Sequence, residues 1–286
     1  MNLLYRFTRQ HKTCTYSESR VQRHDNSARW SSKLSISIWS LHSIENYNTI
    51  VGMSVIGLKF KDLLLVEDEY GSLTTGGDQH WFPKEGFIPP GACGATTASN
   101  VLAYLLRSRK ELYEKAANAG LEGLAAPVDI RHANILPNKK RDFIEFMKKV
   151  YRFTYPRIGG LMADAFLEGI SGLSEEYRLH ITVERLIVPI ARSKRPSFVE
   201  SAEFLMSSLE AELPVAFLIL SNGCVEGLDT WHWVTILALD EEGKRVQIAD
   251  NGNVFWADIE TWLDTSIMGG SFVSLRPGVS GKYSPE

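Results

Sequence analysis

The sequence predicts an α+β domain, helical in its first half and strand-rich in its second, on three observations. A long helical run over 93–117 is followed by further helical periodicity at 139–153, 160–170 and 197–213. After residue 213 the period changes to short β-type runs broken by Asn-Gly and Glu-Gly pairs. The apolar runs PVAFLIL (214–220) and WVTILAL (233–239) are far shorter than the roughly 20 residues that cross a bilayer, so they read as buried strands. Helices grouped ahead of strands make an α+β plan.

Residues 1–52 stand apart from this domain. The first 50 carry nine serines, and the first 40 set seven Lys or Arg against only Glu18 and Asp25, with little apolar periodicity. Such a segment has little with which to build a core. It reads as a disordered arm or as an upstream extension of a domain spanning 53–286. Its Arg- and Ser-rich, acid-poor make-up also fits an organelle-targeting peptide, and it lacks the apolar stretch of a secretory signal.

From Met53 onward the elements follow in order. VIGLKF (55–60) and DLLLVEDEY (62–70) read as short strands, ahead of a Gly- and Pro-containing loop that carries Gln79, His80 and Trp81. In the 93–117 helix, Val101, Leu102, Leu105 and Leu106 give an apolar face and Lys110, Glu111, Glu114 and Lys115 a solvated one. Helices are expected at 139–153 and 160–170, and at 197–213, where Ser197 and Glu200 form a capping-box signature. Five strands are expected over 214–220, 233–239, 244–250, 253–257 and 270–276, with one short helix at 258–267.

Composition excludes several classes of function. The 286 residues are 44% hydrophobic and 23% charged, with net charge −3 and the two signs interspersed, so no basic stripe points to nucleic acid. A peptide or a small amide or acyl substrate is the expected partner, with no membrane; oligomeric state is left open. The three cysteines, Cys14, Cys93 and Cys224, form no CxxC pair, no disulfide framework and no zinc-site spacing. A reducing, cytoplasmic location is expected, without cofactor or metal.

Cys93 carries the chemistry. It follows a Pro-Pro-Gly-Ala turn and opens the long helix, where a turn exposes the sulfur and the helix N-terminus favours the thiolate. Taken alone it reads first as a small buried residue, which a single cysteine usually is, and only its context turns the reading toward a nucleophile. A thiol nucleophile needs a base, and that base works best when a third group holds its tautomer. His232, where a loop enters a buried strand, is the candidate base. Asp250, at the end of the next strand, is the candidate orienting group, because adjacent antiparallel strands bring such an end beside the start of the first. Asn251 is the alternative third member, and before Gly252 it also reads as a turn former. Trp231 and Trp233 read as packing residues, one of which is placed to wall a groove. Cys224 reads as a bystander.

The segments GACGATTASNVLAYL, TWHWVTILALD and VQIADNG, in that order, resemble the papain-like cysteine peptidase clan, and within it the bacteriocin-processing, double-glycine-leader branch. The resemblance covers about residues 70–276. Cys93 and His232 are 139 residues apart, inside the roughly 130–150 of that clan. It implies a papain-like fold, with Cys93 as nucleophile, His232 as general base and acid, and Asp250 or Asn251 orienting the imidazole. The family's oxyanion glutamine, a few residues before the cysteine, has no counterpart, since position 87 is Phe. The nearest is Gln79, fourteen residues upstream, which becomes the candidate oxyanion donor beside the Cys93 amide, with His80 as its substitute. The implied activity is hydrolysis of a peptide or amide bond through a thioester. Acyl transfer by the same machinery and a non-catalytic peptide- or leader-binding module are the alternatives.

Overall fold

The computed structural model describes residues 55–82, 89–127, 135–155 and 161–278, so the expectation for residues 1–52 lies outside the described residues. In chain order the elements are β1 (Val55–Gly57), a 3-10 turn (Lys61–Leu64), β2 (Leu65–Glu67), β3 (Leu73–Thr75) and a second 3-10 turn (Gln79–Trp81). Then come α1 (Ala92–Ser108), α2 (Lys110–Asn118), β4 (Asn138–Lys139), α3 (Lys140–Tyr151), α4 (Ala163–Glu176) and β5 (Ile181–Val188). The C-terminal part holds α5 (Phe198–Glu210), β6 (Val215–Ile219), β7 (His232–Asp240), β8 (Arg245–Asp250), β9 (Asn253–Asp258), α6 (Ile259–Thr265) and β10 (Gly270–Pro277).

The main sheet is antiparallel, in the order β5-β10-β6-β7-β8-β9, which bears out a mixed α and β architecture. Strand β1 joins the same edge of β7 as β6: β6 covers His232 to Ile236 and β1 covers Ala238 to Asp240. A second sheet of three strands has the order β3-β2-β4. Alternation along β6 explains two helical layers. Ala216 and Leu218 pack with α1, α3 and α4, whereas Val215, Phe217 and Ile219 pack with α5 and α6.

Several expected elements change in the folded chain. The 93–117 helix is two helices, because Arg109 breaks out of helical geometry at φ −134° and ψ 97°. Its guanidinium donates to the Ser108 hydroxyl and to the carbonyls of Ala211 and Glu212, contacts that a straight helix would not supply. The supposed solvated face therefore belongs to α2, and every residue of α1 from Gly94 to Arg107 is buried. Residues Asp62–Leu64 form a 3-10 turn instead of a strand, since Leu63 and Leu64 both pack into the same core and a strand would send them to opposite faces. Helix α4 runs on to Glu176, beyond the expected end at 170. Strand β5 went unexpected: its Ile, Val and Thr content is β-type, but its burial is mixed and it lies at a sheet edge. At α5 the capping box forms as expected, with Glu200 N donating to Ser197 Oγ at 3.2 Å and Ser197 N to Glu200 Oε2 at 2.7 Å. Among the described residues no helix is long and apolar enough to cross a membrane.

Candidate active site

Gly91 opens α1 in the left-handed conformation, φ 73° and ψ 9°, which glycine adopts without penalty. Cys93 follows as the second helical residue, half-buried and a free thiol. The first turn of any helix leaves amide protons without intrahelical acceptors. Ala92 N–H is taken by Pro89 O, and Ala95 N–H by Gly91 O. Among the described residues the Cys93 and Gly94 amides have no backbone acceptor, so the donors nearest the sulfur remain open.

His232 is the first residue of β7 and Asp250 the last of β8. The antiparallel register, with Thr235 opposite Ala249, sets these two ends side by side. His232 Nε2 donates to Asp250 Oδ1 at 2.8 Å. The Cys93 thiol is a hydrogen-bond neighbour of the same ring, and with Nε2 engaged this contact falls to Nδ1. His232 is 6% exposed. Burial by itself pushes the imidazole pKa down, but hydrogen bonds to Asp250 and Cys93, together with their charges, reverse that and raise it to about 10. A protonated imidazole is thereby held between a sulfur and a carboxylate.

The two alternatives for the third position separate in space. Asn251 and Gly252 form the two-residue loop of the β8–β9 hairpin, with φ 47° and 78°, as an Asn-Gly turn of this kind requires. The Asn251 side chain turns away from the imidazole and accepts Gln79 N–H at Oδ1, 3.2 Å away. The contact to His232 thus belongs to Asp250.

Gln79 begins the second 3-10 turn, which packs against α1. Its carboxamide makes no hydrogen bond among the described residues and is left open to a ligand. His80 is committed elsewhere: its Nδ1 lies 2.5 Å from Asp78 Oδ1, on an exposed surface. Asn100, which sequence reasoning missed, bridges the turn to the sheet. It accepts Gly77 N–H at 2.8 Å and donates to Thr235 Oγ1 at 3.2 Å. Its position seven residues after Cys93, two turns along one helix face, was the signal available.

A small cavity of about 70 Å³ lies at the sulfur, lined by Gly91, Cys93, Leu161, Met162, Leu218, Trp231 and Trp233. Apart from Cys93, none of the lining residues has an ionisable side chain. Trp233 is a packing residue: it is buried, stacks on Phe166 at 4.3 Å between ring centroids, and donates Nε1–H to Leu161 O at 2.6 Å. Trp231 is half-exposed with φ 57°, an unusual backbone conformation for a bulky residue, and it forms the outer wall. A roomier cavity of about 340 Å³, lined by Glu122–Ala125 and residues of α3, contains none of the candidate residues. Among the described residues no three His, Cys, Asp or Glu side chains are grouped to hold a metal ion.

An unpaired thiol on a helix N-terminus, an imidazole whose second nitrogen is fixed by a carboxylate, and open amide donors are the parts of nucleophilic acyl chemistry. No protein-family model matches the chain, and no curated protein matches it.

Proposed function

We propose that the chain is a cysteine hydrolase of papain-like fold that cleaves a peptide or amide bond. The observation that carries this reading is the buried His232 ring, bound through Nε2 to Asp250 and within hydrogen-bonding reach of the Cys93 thiol. A helix bearing the thiol, packed on an antiparallel sheet that bears the histidine and the aspartate, supports the papain-like fold.

In this mechanism the Cys93 thiolate attacks the substrate carbonyl carbon. A carbon–sulfur bond forms and the carbonyl electron pair moves to oxygen, which accepts from the Cys93 amide. Collapse of the intermediate breaks the carbon–nitrogen bond, and His232 gives its proton to the departing amine. His232 then takes a proton from water as that water attacks the thioester, which releases the acid and regenerates the thiolate. Asp250 keeps Nε2 occupied throughout, so that Nδ1 does the proton transfers. The cavity walls, with no ionisable side chain besides Cys93, favour a substrate that is apolar or small next to the scissile carbonyl.

Turnover of a peptide, amide and acyl-thioester library tests the reading, with free acid as the expected product. Turnover by wild type and none by Cys93→Ala supports it; undiminished turnover by Cys93→Ala overturns it.

A further inference from the structure

We propose that Asn251 is a positioning residue that holds the Gln79 turn against the reaction centre, an inference that rests on the hydrolase reading. Asn251 follows Asp250 directly, so the residue that grips the imidazole and the residue that grips the Gln79 turn are consecutive on one hairpin. The left-handed loop conformation lets adjacent side chains serve two directions. Gln79 N–H donates to Asn251 Oδ1 at 3.2 Å, across 172 residues of sequence.

The attachment is reinforced at two neighbouring points. Thr75 N–H donates to Gly252 O at 3.0 Å, so segment 75–79 meets the hairpin loop through both Asn251 and Gly252. Gly77 N–H donates to Asn100 on the helix that carries Cys93. The segment is thus bonded both to the hairpin bearing Asp250 and to the helix bearing the thiol. Such double attachment is what a preorganised donor requires, because a group that must reorganise during the reaction loses much of its electrostatic benefit. The Gln79 backbone is what these bonds hold, and in this proposal its carboxamide, carried on that fixed backbone, is the donor. Asn251 acts through it and touches no reacting atom.

Two electrophiles separate this role from a role at the imidazole. Iodoacetamide alkylates the thiolate by displacing iodide, with no oxyanion. p-Nitrophenyl acetate acylates it through a tetrahedral oxyanion: the carbon–sulfur bond forms, and collapse expels p-nitrophenolate. Both rate constants at Cys93 are measured in the full chain for wild type, Asn251→Gly, Asn251→Asp, Gln79→Ala and the Asn251→Gly/Gln79→Ala double variant. Glycine keeps the left-handed loop and removes the acceptor, whereas aspartate keeps both.

Asn251→Gly is expected to slow acylation at least about tenfold, toward the roughly hundredfold cost of losing one oxyanion donor, and to leave alkylation within about twofold. Gln79→Ala gives the same pattern, the double variant loses little more, and Asn251→Asp stays near wild type. Acylation by Asn251→Gly at the wild-type rate overturns the inference. An equal fall in acylation and alkylation also overturns it, by putting Asn251 on the imidazole path or on the fold. If wild-type Cys93 reacts with both reagents only as fast as N-acetylcysteine, the hydrolase reading fails first and the inference falls with it.

Discussion

His232 Nε2 and Asp250 Oδ1 lie 2.8 Å apart across a strand pair, although eighteen residues separate them in the chain. The pair sits at one end of the sheet, where β7 begins and β8 stops, beside the first turn of α1. That position makes the imidazole answer to the carboxylate and the thiol together.

Because the three groups share one proton-transfer path, their removal is expected to be strongly non-additive. Cys93→Ala and His232→Ala each abolish turnover, and the double variant loses little beyond either single one. Asp250→Asn does less damage, since an amide still orients an imidazole. Steady-state kinetics on a responsive substrate, with circular dichroism to confirm folding, checks the order.

The raised His232 pKa predicts the alkaline limb of the activity profile. The active pair needs the imidazolium, which burial disfavours and the contacts to Asp250 and Cys93 restore, up to about 10. Activity therefore persists past pH 7 and falls as pH approaches about 10. Asp250→Asn removes a negative partner, so its alkaline limb moves to lower pH. A profile of kcat/KM between pH 6 and about 10.5 reads the free enzyme's groups directly; an unmoved limb in Asp250→Asn contradicts this assignment.

The same shift has a consequence for stability. Above the ordinary histidine value of 6.5 the unfolded chain has lost this proton while the folded chain retains it. The contribution is complete below 6.5 and declines as pH rises through about 10. Urea unfolding at several pH values across that window is expected to show a steeper loss for wild type than for His232→Gln. Parallel curves would contradict it.

Trp231 offers a test that separates backbone from side chain. Its φ of 57° disfavours any residue with a Cβ, by about 1 kcal/mol or somewhat more. Trp231→Gly is therefore expected to be more stable than Trp231→Ala by about 1 kcal/mol in urea unfolding. Both variants remove the cavity's outer wall, so both raise KM by a similar factor. Equal stabilities would show that the loop relaxes away from this conformation.

Much of this molecule was legible from local pattern. The change of period after residue 213, the Ser197 capping box and the Asn-Gly turn are short-range features, written in residues that touch along the chain or one turn away. The sequence by itself determined the strands β6 through β9, the placement of Cys93 on a helix first turn, and the order in which thiol, imidazole and carboxylate occur. Tertiary structure decided what depends on partners far away. It broke the long helix at Arg109, whose guanidinium reaches the carbonyls after α5, and it gave edge strand β5 its place beside β10. It also separated Asp250 from Asn251, which no spacing argument could do. Adjacent residues at a hairpin end point in different directions, and only the packed positions of α1 and the Gln79 turn decide which side chain meets the imidazole and which meets the amide.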